Sequence, residues 1–133
     1  MTGRVGLQGR RGDVVRGFTE TRNVVSVEES IVEIRTTFGQ RAAAEACAGR
    51  LVEERLAACV QVDGPVRSVY RWHGRVEAAD EFRCTCKTTA ERAQACVAAI
   101  ERWHDYETPE VILSPVTATP AYASWVRASV AAG

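Results

Sequence analysis

Residues 103 to 110, Trp-His-Asp-Tyr-Glu-Thr-Pro-Glu, crowd five ionisable side chains and two aromatics into one short stretch, and His104 is one of only two histidines in the chain. An imidazole beside a carboxylate suits Cu(II), Zn(II) or Ni(II), which makes His104 and Glu110 the candidate metal ligands. A structural site takes about four ligands, so the pair predicts no more than a weakly held divalent cation such as Cu(II), and no required cofactor. The competing reading is architectural. A histidine at a helix C-terminus answers the negative end of the dipole, and Thr108-Pro109 stops the helix and starts a strand.

Tyr70, Trp72, Lys87 and Tyr106, with Glu110, form a second constellation. Such residues line ligand clefts between subunits, and aromatics equally anchor protein interfaces. Lys87 is the only lysine and invites an anion or a partner such as Glu110. Cys84-x-Cys86 aims both thiols at one face of a strand, which predicts core packing, and Cys59 and Cys96 read the same way. His73 sits at a hairpin tip and offers a surface contact at best. Gly39 alone is not a phosphate-cradling loop, and no serine or cysteine has an evident histidine partner. No catalytic residue is expected, and the chain reads as a non-enzyme.

The elements that must position these residues follow from pattern. The 133 residues suffice for one domain. Net charge is zero, which argues against gripping a nucleic-acid backbone. No apolar run is long enough to span a membrane. The five cysteines are odd in number, contain no Cys-x-x-Cys and follow no secretory signal, so they predict free thiols in the cytoplasm. Residues 1–28, rich in Arg and Gly, read as a disordered extension, and residues 29–133 as the folded domain.

Within that domain residues 31–37 alternate as a strand and residues 40–57 carry a helical stripe. Residues 58–72 are extended around Asp63-Gly64-Pro65, and His73-Gly74 turns the chain into a long strand ending at Thr88. A second helix, with Thr89 as N-cap, places Ala93, Cys96, Val97 and Ile100 on one face. Residues 111–116 form a fourth strand, and Thr119-Pro120 opens a last helix. The order is an α+β, ferredoxin-like βαββαβ antiparallel sheet plus a C-terminal helix. Two helices cover one face. The other face offers Ile31, Tyr70, Trp72 and Val76, which predicts self-association through the long hairpin. An RNA-recognition module shares this strand order but needs stacked aromatics where the third strand displays Glu81, Arg83, Thr85 and Lys87.

Several stretches resemble the CutA family of divalent-cation tolerance proteins. They are residues 51–60 (LVEERLAACV), 68–77 (SVYRWHGRVE), Lys87-Thr88, 106–110 (YETPE) and 120–126 (PAYASWV), in order along the chain. The resemblance implies a homotrimer similar in architecture to PII-type signalling proteins, a link to copper and other divalent cations, and no reaction. It also implies an alternative: a PII-like signalling or scaffold protein binding a small ligand or protein in the inter-subunit cleft. Some family members carry a second histidine where this chain has Trp103, and a cysteine in the first strand, which this chain lacks.

Overall fold

A computed structural model describes residues 29–132. The expected extension over residues 1–28 lies outside the described residues. The elements run β1 (Ser30–Phe38), α1 (Arg41–Glu53), β2 (Cys59–Trp72), β3 (Arg75–Thr88), α2 (Ala90–Trp103), β4 (Ile112–Thr117) and α3 (Pro120–Val130). The strands form one antiparallel sheet in the order β2-β3-β1-β4, the ferredoxin-like topology expected from the sequence. Among the described residues no helix is long and apolar enough to cross a membrane.

Alternation in β1 sends Val32 and Ile34 toward α1 and α2, whose stripes supply Ala44, Cys47, Leu51, Ala93, Cys96 and Ile100 to the same core. Cys84 and Cys86 join them from β3, fully buried as predicted. Cys59 departs from that reading. It sits one residue out of phase with core-facing Val60 and faces the Tyr122 hydroxyl instead. The apolar face of α1 also ends early. Leu56 continues the helical spacing, yet Arg55 takes φ +58° and the Leu56 and Ala57 amides both fold back on the Leu51 carbonyl. The outer face is partly closed too. Ile31 packs with Ala58, Ala123, Val126 and Val130, because α3 returns beneath the sheet instead of leaving that face bare. Thr89 and Thr119 cap their helices by accepting the Arg92 and Tyr122 amides.

Burial pushes the Cys47 thiol up from 9.0 to about 11 and Cys84 to about 12, with neighbouring thiols adding to the effect. Above pH 9 the unfolded chain therefore releases protons that the folded chain retains, so stability falls as pH rises toward the folded values. Denaturant titrations across pH 8 to 11 should show this loss, and it should shrink in Cys47→Ala/Cys84→Ala.

Candidate functional site

The joint between α2 and β4 carries the first candidate. His104 ends α2 in extended conformation and turns its ring inward, where it stacks on Phe38 with centroids 4.2 Å apart. Its Nδ1 accepts the Tyr106 amide at 3.1 Å, so the ring proton belongs on Nε2, which donates to the Thr37 carbonyl at 2.7 Å. Asp105 Oδ1 stays 3.6 Å from Nδ1, beyond a good hydrogen bond. The side chain is fully buried. The imidazole thus bolts the joint to the end of β1.

Tyr106 extends that joint around the strand end. Gly39 clears its path: a Cβ there would lie 3.3 Å from the Tyr106 hydroxyl. The hydroxyl donates to Glu81 Oε2 at 2.8 Å, while Ser68 donates to Oε1 at 2.7 Å and Thr37 to Oε2 at 3.3 Å. Ser68 and Thr37 are diagonal cross-strand neighbours of Glu81 on β2 and β1, so one carboxylate on β3 collects hydroxyls from two strands and the joint. Burial raises the Tyr106 phenol above its usual range, helped by the hydrogen bond to Glu81 and its charge. Sequence reading placed Glu81 outward on β3 beside Arg83, Thr85 and Lys87, and the structure buries it. Its strand face was legible; its burial comes from Tyr106, 25 residues away, and nothing local signals that.

The remaining candidates separate. Tyr70 and Trp72 stand exposed on the outer hairpin, Trp72 edge-on to His73 with centroids 4.7 Å apart. Lys87 donates to Gln61 Oε1 at 2.9 Å and lies 3.9 Å from Glu33, so its partners are these and not Glu110. Glu110 instead lines a depression of about 510 Å³ on the outer sheet face with Arg35, Gln61, Asp63, Arg83 and Thr85. Asp63 pairs there with Arg83 through contacts of 2.6 and 3.2 Å, which hold its carboxyl below the usual range. Of the four residues expected to share a cleft, Tyr106 is committed to Glu81 and Lys87 to Gln61.

A divalent cation does not fit the His104 joint as folded. Both ring nitrogens are engaged, and among the described residues no group of three or more His, Cys, Asp or Glu side chains could hold a metal. Titration with Zn(II), followed through imidazole ¹⁵N shifts, should perturb exposed His73 first and leave the His104 tautomer in place. Early loss of the His104 pattern would restore it as a ligand.

Comparison with known proteins agrees with this architecture. The family model described as CutA1 divalent ion tolerance protein matches residues 32–129. The divalent-cation tolerance protein CutA of Salmonella newport is 34% identical over 107 residues, covering 80% of this chain and 92% of that protein. The CutA crystal structure from Xylella fastidiosa superposes with a TM-score of 0.74 at 32% identity, covering 76% of this chain and 98% of its own. The protein described as periplasmic divalent cation tolerance protein CutA, from Archaeoglobus fulgidus, gives 0.72 at 31% identity, covering 77% and 99%. With nearly the whole described domain matched in sequence and in fold, the chain belongs to the CutA1 divalent ion tolerance protein family.

Proposed function

We propose that the chain serves divalent-cation tolerance, copper included, as a non-enzymatic homotrimer in the cytoplasm. The observation that carries the assembly is the outer hairpin. β1 pairs with β3 only from Phe82 to Thr88, so Arg75–Glu81 pairs with β2 alone and keeps an open backbone edge. Val69, Tyr70, Trp72 and Val76 project exposed from the same segment. An open edge with apolar side chains is a surface that another chain covers. The threefold count rests on family resemblance, and a heterologous contact of this kind closes into a ring.

The tolerance role comes from the family and from relatives such as the Salmonella newport protein. No cation is assigned to His104 in this reading. Five free cysteines favour a reducing compartment over the periplasmic setting named for the Archaeoglobus protein.

Light scattering should give about three times the 14.5 kDa protomer mass, and Trp72→Asp/Val76→Asp should dissociate the assembly. A wild-type monomer at micromolar concentration would sink the trimer. In cells lacking the gene, wild type should restore growth in excess copper and the dissociated variant should not. Equal restoration by both would detach the role from the assembly.

A further inference from the structure

The depression on the outer sheet face has a charge pattern that the tolerance role does not use. Register places its floor in two rows. Gln61, Thr85 and Arg35 stand opposite one another across β2, β3 and β1, and the next row holds Asp63, Arg83 and Thr37. Glu110 closes the wall beside the second row, near enough for its charge to raise Arg83, after the larger effects of Asp63.

The bonding within these rows is uneven. Arg83 is satisfied bidentately by Asp63. Gln61 has its amide oxygen held by Lys87, which leaves its NH₂ group to donate elsewhere. Among the described residues the Arg35 guanidinium has no hydrogen-bonding or ion-pair partner, and the Thr85 hydroxyl has none either. Among the described residues Glu110 makes no hydrogen bond and no close ion pair. One cation and one carboxylate therefore face the same depression without being bonded to each other.

We infer that this depression binds a small zwitterion bearing a carboxylate and an ammonium group, of the α-amino acid class. The donor row of Arg35, Thr85 and Gln61 takes the carboxylate, since a guanidinium fork matches carboxylate geometry. Glu110 takes the ammonium. Rows on one face of a strand repeat every two residues, about 7 Å. That spacing admits the short ammonium-to-carboxylate span with a hydrogen bond at either end. A dianion such as phosphate meets Asp63 and Glu110, and a simple cation meets Arg35, so neither matches the whole pattern. The volume of about 510 Å³ leaves room for a molecule of amino-acid size. All six lining residues come from one protomer.

Calorimetric titration of the full chain with glycine, L-glutamine, acetate, methylamine and inorganic phosphate tests this. Glycine or L-glutamine should bind, with acetate and methylamine each weaker by about tenfold or more. Arg35→Gln should abolish binding of the amino acid and of acetate. Glu110→Gln should weaken the amino acid about tenfold and leave acetate unchanged. Neither side chain makes a bond among the described residues, and circular dichroism would confirm that both variants are folded. Acetate or phosphate binding as tightly as the amino acids would overturn the zwitterion assignment. Absence of heat, and of amide shifts at Gln61 and Thr85, for every probe up to roughly 10 mM would overturn the site itself.

Discussion

Glu81→Ala should lower the free energy of unfolding by about 3 kcal/mol, because it leaves the hydroxyls of Ser68, Thr37 and Tyr106 without their shared acceptor. Bonds to an ionised group are the stronger kind, and orphaned donors at a covered site recover only part of the loss from water. Glu81→Gln keeps the volume and one acceptor oxygen, so it should cost less. A second readout separates the network from simple packing. Burial is the first cause of the raised Tyr106 phenol and Glu81 the next, so Glu81→Gln should bring that phenol part of the way back toward 10. Ultraviolet titration would follow it, with Tyr106→Phe identifying the signal among three tyrosines. Unchanged stability and an unchanged titration together would show that Glu81 does not organise the joint.

Gly64→Ala should be as damaging, for a steric reason. A Cβ at Gly64 would fall 2.8 Å from the Glu81 carbonyl oxygen and 2.9 Å from Phe82 Cδ2, and its φ of +144° is one that L side chains rarely adopt. Backbone strain and overpacking together put the cost at about 3 kcal/mol or more. Gly74 provides the comparison. It also has positive φ, yet nothing lies within 4 Å of its Cβ position, so Gly74→Ala should cost about 1 kcal/mol. Urea denaturation of the two variants would give the difference. Equal costs would mean that conformation alone, and not the close approach of β3, demands glycine at position 64. Movement of the β3 backbone there would also displace Glu81, so the two substitutions act on one locus.

Much of the scaffold was legible because it depends on local signals. Alternation placed Val32 and Ile34 inward, His73-Gly74 marked the hairpin, and Thr89 and Thr119 declared their helices. What was not legible depends on contacts distant in sequence. Leu56 looked helical by spacing, and only the left-handed Arg55 shows why it reaches the core from a turn. Ile31 looked exposed until α3 covered it from the far end of the chain. At the site the same division holds. The importance of residues 103–110 was readable from composition, but the direction of the His104 ring was not. A buried imidazole with two backbone partners and a solvent-facing ligand have the same local sequence; the Thr37 carbonyl, 67 residues away, distinguishes them.

The place of β1 between β3 and β4 constrains how the chain is made. Both of its neighbours come from later sequence, the last beginning at Ile112, while β1 and β2 never touch as sheet partners. A nascent chain that has emerged only through β2 therefore owns two strands and no ladder between them. The hairpin of β2 and β3 can close on its own, but the central pairing must wait for Phe82–Thr88, and the sheet for β4. Until then β1 exposes both backbone edges. The polar tether from Tyr106 to Glu81, made only once the joint after α2 has emerged, closes a sheet whose first strand has waited through the hairpin and the second helix.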